Sequence, residues 1–191
     1  PLQISMNWTE NTIRNIVTDL ADENPLACQA LLEIAEIEFT GDVPTMAVTL
    51  SERPVLKINL GFCREHLQSE GDVKCVLLHE FLHVMLDHTS EYKESNPLLN
   101  IALDAIINAI IWRTKGEEYG QFFMRFYEWD IPTMVLRNQG SDVSKGSTDW
   151  TWYDIHERLY RQGCTAADLY EFLNSKKMMF DINALSGITF L

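Results

Sequence analysis

Two histidines four residues apart, His79 and His83, with a glutamate directly after the first, are the residues here whose types and spacing speak most directly of chemistry. On an α-helix a four-residue step turns a side chain by only ~40°, so both imidazoles stand on one face, one turn apart. That is the disposition of two ligands to a single Zn2+ ion. Glu80 follows His79 by ~100° of rotation, near enough to reach a metal-activated water without ligating the ion. A carboxylate so placed takes a proton from the water and delivers it to a leaving amine. The run His79-Glu80-Phe81-Leu82-His83 therefore predicts hydrolysis of a peptide bond at a mononuclear zinc site, with Glu80 as general base.

A catalytic zinc needs a third protein ligand and an open position. Asp104 is the favoured candidate, because it interrupts an apolar run from Leu98 to Trp112, where a buried carboxylate needs a metal or a histidine to offset its desolvation. His88 is the alternative third ligand. A continuous helix would carry it ~140° around from His83, and no glycine near Leu86 offers a turn; as a cation it would also suit the helix C-terminus. His156 is a more distant choice. Asn108, one turn beyond Asp104, reads either as orienting a ligand or water or as a polar contact between helices. Asn59 and Lys57 sit on an extended segment ahead of the metal helix. At a sheet edge beside the cleft, that segment's backbone could hold an extended peptide, with solvated edge charge as the plainer reading. For stabilising an oxyanion, Tyr92, Tyr119, His88 and His156 are equal candidates.

These residues need elements to hold them. Thr9 or Asn11 caps a first helix to about Leu20, and Asn24-Pro25 opens a second that carries Leu26, Leu31, Leu32, Ile34 and Ala35. Gly41-Asp42-Val43-Pro44 breaks the pattern. Two extended segments follow, Met46 to Leu50 and Val55 to Leu60, joined by the turn Ser51-Glu52-Arg53-Pro54 in a hairpin; Leu56, Ile58 and Leu60 alternate with Val55, Lys57 and Asn59. From Asp72 to about Asp87, Val73, Val76, Leu77, Phe81, Val84 and Met85 recur at helical spacing, which predicts a buried helix carrying the motif. His88 to Asn96 reads as polar loop, and Asn96-Pro97 opens the helix of Asp104. Residues 116–146 are aromatic-rich as far as Trp129 and then loop-like through Pro132 and Gly140. Two helices close the chain: one capped by Thr148-Asp149 with Trp152, Ile155, Leu159 and Tyr160, the other from near Thr165 to about Ser175.

The predicted class is α+β: a small sheet or hairpin packed on the motif helix, with additional C-terminal helices. Residues 1–140 form the site-bearing domain and 141–191 a loop and helical extension packed on it. A chain of 191 residues, 46% hydrophobic, supports one main core. Its net charge of −13 comes from acids spread along the chain, a solvated acidic surface that argues against nucleic acid and draws in basic partners. Cys28, Cys63, Cys75 and Cys164 form no CxxC pair and read as reduced, packed residues of a cytoplasmic protein. The first residues lack the features of a signal peptide, no apolar run reaches membrane-spanning length, and a start without Met suits a fragment of something longer.

The run from Pro44 to Asn108 resembles a little-characterised bacterial family of zinc metallopeptidase-like proteins of the zincin class, some of them joined to a von Willebrand A-like domain. The resemblance is carried by Val43-Pro44-Thr45-Met46-Ala47-Val48-Thr49, by Leu56-Lys57-Ile58-Asn59, by His79 to His88, and above all by Asn100-Ile101-Ala102-Leu103-Asp104-Ala105-Ile106-Ile107-Asn108. It implies a minimal zincin: a small sheet whose edge strand borders the cleft, an active-site helix, and a following helix that supplies the third zinc ligand as in gluzincins, with Asp104 where those have Glu. A peptide or protein is the implied substrate. No von Willebrand-like β/α alternation follows. Metzincins place a third His one residue later, after a glycine turn, and position 89 here is Thr. The endoribonuclease-like family with an H-x3-H-x5-H motif lacks the glutamate after its first histidine. The competing expectation is a non-catalytic or regulatory module that holds a metal and recognises a partner through its acidic surface and the aromatic region from Phe122 to Trp129, residues that more often belong to a core.

Overall fold

Side-chain caps decide where the helices of this protein begin. In the computed structural model, which describes residues 7–88, 96–139 and 150–181 (Trp150 by its backbone alone), the Thr9 hydroxyl accepts the Thr12 N–H to open α1, Glu10–Glu23. Asn24 does the same for α2, Pro25–Glu33, with Pro25 in the first turn, where its missing N–H costs nothing. The chain divides into two compact units, Pro1–Glu94 and Ser95–Thr189.

In the first unit a three-stranded sheet follows α2. Its strands are β1, Glu36–Phe39, β2, Met46–Val48, and β3, Val55–Ile58, in the order β1-β3-β2. The expected hairpin is present: β2 pairs antiparallel with β3, Met46 opposite Ile58 and Val48 opposite Leu56. Strand β1, which lies parallel to β3, was not expected, although Glu36-Ile37-Glu38-Phe39 has the alternation of a half-buried strand. Its presence makes β3 central, so Lys57 does not lie on a sheet edge. Leu56 and Ile58 point into the core.

A short helix, α3, Leu60–His66, is capped by Asn59 and tied to the start of α1 through Trp8, whose indole N–H donates to the Leu67 carbonyl. Helix α4, Glu70–Met85, starts one residue after Ser69, slightly ahead of the expected Gly71-Asp72 signal. The reason is a reciprocal cap: Ser69 Oγ accepts the Asp72 N–H, while the Asp72 carboxylate accepts the N–H of Gln68. Lys74 on its outer face bridges Glu70 and Glu23. From Val73 to Val84, Lys74 is the only residue of α4 not counted among its buried positions, and that burial sets the motif inside the protein.

In the second unit α5, Pro97–Lys115, is capped by Asn96, whose side chain accepts the N–H groups of Leu98 and Leu99. Gly116, at φ 64°, ends α5 in the left-handed region and leads into α6, Glu117–Phe126. Any side chain at Gly120 would collide with the Trp112 ring, so glycine there permits the close approach of α6 to α5. A 3-10 turn, Thr133–Leu136, follows, then α7, Trp150–Glu157, which runs on as a π-helical turn, Arg158–Gln162. Helix α8, Ala166–Lys176, opens with a Thr165–Asp168 capping box. Because α5 packs on α6, α8 and both turns, it belongs with the C-terminal helices, and the division of the chain falls between Glu94 and Ser95 instead of near residue 140. Phe122, Phe123 and Tyr127 are buried, so much of the aromatic region is core.

The fold is mixed α+β and mostly helical, with one small sheet among the described residues. Among those residues no helix is long and apolar enough to cross a membrane. The expected loop from Gly140 to Gly146, the Thr148-Asp149 cap and Tyr92 lie outside the described residues.

Candidate metal centre

Helix α4 sets the motif in its last two turns, with His79, Glu80 and His83 all at 0% exposure. The four-residue spacing brings His79 Nε2 within 3.0 Å of His83 Nε2, the rings tilted and 4.8 Å apart. Two imidazole nitrogens converge here where both lone pairs can meet one ion.

Glu80 points toward the sheet. Its Oε2 accepts the backbone N–H of Val48 at 2.9 Å. That N–H is available because β2 turns alternate residues toward β3: Thr49 donates to the Val55 carbonyl and Asn59 donates to Thr45, which leaves the Val48 N–H on the outer edge. The strand edge therefore fixes the carboxylate beside the two histidines. No side-chain pattern announces a backbone donor, so this contact was not legible in the sequence.

Beyond α4 the chain turns back on itself at Asp87, with φ 59°, and buries His88. Aspartate tolerates this left-handed conformation better than most side chains, so a turn forms without the glycine that seemed necessary. His88 Nδ1 lies 3.1 Å from His83 Nδ1, on the opposite ring nitrogen from the one that faces His79.

In the second unit Asp104 and Asn108 lie one turn apart on α5, both buried. Asn108 Nδ2 donates to the Leu136 carbonyl at 2.9 Å. His156 donates from Nε2 to the Arg137 carbonyl at 2.9 Å, and burial lowers its pKa below the ordinary value for histidine. Tyr119 is buried on α6, with the Lys115 ammonium 5.6 Å from its ring centre.

Among the described residues His79, His83 and Asp104, all buried, form a group that could hold a metal ion, each offering one ligand atom within 4.8 Å of the others. Two imidazole nitrogens and one carboxylate oxygen suit zinc, although such a donor set does not by itself choose among divalent ions. His88 and His156 are not members of that group, although His88 meets the other ring nitrogen of His83. Asn59, expected to support the site or bind substrate, caps α3: Oδ1 accepts the N–H groups of Gly61 and Phe62, and Nδ2 donates to the Val43 carbonyl. No protein-family model matches the chain, and no curated protein or solved structure does either.

Proposed function

We propose that this chain is a zinc-dependent peptidase in which His79, His83 and Asp104 hold the metal and Glu80 is the general base. The observation that carries the reading is the placing of a carboxylate, fixed by the Val48 N–H, one residue along the helix from a ligand in a two-histidine, one-carboxylate group. A site that only held a metal would have no need of Glu80 there.

When bound, the ion acts as a Lewis acid and lowers the pKa of water. Glu80 accepts the proton of the attacking water and passes it to the departing amine, which leaves neutral. The Val48 N–H bonds one carboxylate oxygen and holds the group in position, and a carboxylate has several lone-pair sites, so it can also accept that proton. A net charge of −13 favours peptide or protein substrates with basic segments, by steering encounter. The zincin resemblance of the run from Pro44 to Asn108 supports the same reading.

One observation favours a second reading, a non-catalytic metal-binding or regulatory module: all four side chains are fully buried, and structural metal sites are closed where catalytic ones keep an open position. Zinc-loaded protein presented with a library of basic peptides separates the two. The enzyme should cleave, and Glu80→Gln should lower turnover by ~10²- to 10⁴-fold with zinc still bound. Bound zinc without hydrolysis in the unaltered chain assigns the second reading. A chain that takes up no divalent metal excludes both.

A further inference from the structure

We propose that His88 is a positioning residue for His83: its Nδ1 accepts the proton of His83 Nδ1 and so presents the lone pair of His83 Nε2 to the metal. The inference deepens the metal reading and rests on it.

The imidazoles of His79, His83 and His88 are all buried and stand in a row. His83 Nδ1 lies 3.1 Å from His88 Nδ1, and His83 Nε2 lies 3.0 Å from His79 Nε2. A neutral imidazole has one N–H and one lone pair, so the His83–His88 contact needs a donor on one side and an acceptor on the other, whereas a bound ion would take both lone pairs at the His79–His83 contact. Two arrangements satisfy the His83–His88 contact. In the first, His88 donates and the proton of His83 sits on Nε2, where it blocks ligation. In the second, His83 donates from Nδ1, His88 accepts, and His83 Nε2 carries a lone pair and no proton. Ligation by Nε2 therefore selects the second, with the proton of His88 on its own Nε2. No proton is gained or lost by this pair in passing from one arrangement to the other.

The fold is built to offer that acceptor. His88 is only 8% exposed and follows directly on the left-handed Asp87, the turn that brings its ring against His83 at a centroid distance of 5.2 Å, edge to face. Ligating histidines commonly have their remote nitrogen held by a carbonyl or carboxylate, and loss of such a partner costs ~10- to 100-fold in metal affinity. Here a histidine occupies that place. It is neither a ligand nor an accidental polar residue at the end of the helix.

The test is metal affinity of the full chain, measured by competition with a chelator, together with long-range 1H–15N spectra of the histidine rings. In the zinc-loaded protein His83 should carry its proton on Nδ1 and His88 its proton on Nε2. His88→Ala should weaken Zn2+ binding ~10- to 100-fold while keeping one ion per chain. His88→Asn, whose side-chain oxygen can stand where Nδ1 stood, should recover most of the loss; a merely space-filling role would be rescued by His88→Leu instead. Loss of stoichiometric binding in His88→Ala would make His88 a ligand and overturn the proposal, as would unchanged affinity or a His83 proton on Nε2. If the unaltered chain binds no metal, the metal reading itself fails; if it binds and His88→Ala binds equally well, only this inference does.

Discussion

The two units of this protein each bury a histidine that a sequence reader would consider for metal binding, and they use it in opposite ways. On α4, His83 has an imidazole nitrogen at either end of its ring, 3.0 Å and 3.1 Å away. On α7, His156 has a peptide carbonyl, that of Arg137, at 2.9 Å. A carbonyl only accepts, so it fixes the proton of His156 on Nε2 and leaves that nitrogen unable to ligate. An imidazole can give or take, so these contacts allow the proton of His83 on either ring nitrogen. Burial of a histidine thus says little about chemistry; the kind of partner it meets says most.

The sharpest way to break this contrast is to remove each histidine in turn. His79→Ala should abolish stoichiometric Zn2+ binding, whereas His156→Leu should leave it intact and instead cost ~1–3 kcal/mol of stability in urea, because the buried Arg137 carbonyl loses its donor. Loss of zinc in His156→Leu at full stability would erase the distinction. A finer probe addresses the bond from Val48 to Glu80. Val48→Pro deletes one outward N–H from an edge strand, a place where proline is tolerated, and should cost ~1–3 kcal/mol more than Val48→Ala, which keeps the donor to buried Glu80. Equal costs would mean that the bond to Glu80 contributes nothing.

The smallest effect concerns pH. Burial holds the pKa of His156 below its ordinary 6.5, so the unfolded chain binds the proton more readily. Its contribution to stability is complete above the unfolded value and falls away as pH drops below it. His156→Gln, which retains an N–H donor, should therefore lose less stability than the unaltered chain between about pH 7.5 and about pH 5.5. An identical pH dependence in the two proteins would show that this histidine is protonated as easily folded as unfolded.

The motif helix and its hairpin were legible because periodicity is local. The spacing of Val73, Val76, Leu77, Phe81 and Val84 states a buried helix, and the alternation of Leu56 and Ile58 with Lys57 states a strand. Strand β1 escaped notice because four residues directly after a helix carry too little pattern to stand apart from it. The central place of the Lys57 strand was hidden for a related reason. Whether a strand lies at an edge or in the centre depends on a third strand, and β1 was the one not seen. The turn at Asp87 is not legible in the sequence because an aspartate, unlike a glycine, gives no sign by its type that its backbone is left-handed.

By itself the sequence determined the chemistry on offer: two imidazoles and a carboxylate on one helical face, and a lone acid, Asp104, in an apolar run where a charge needs a partner. Those follow from residue type and the 3.6-residue turn, which no tertiary contact alters. Only the tertiary structure decided which groups meet these side chains. The donor to Glu80 is a backbone N–H, and every non-proline residue has one, so the pairing of β2 with β3 had to choose it. The partner of His83 is His88 because the chain turns at Asp87, and a helix continued through that point would have carried it away.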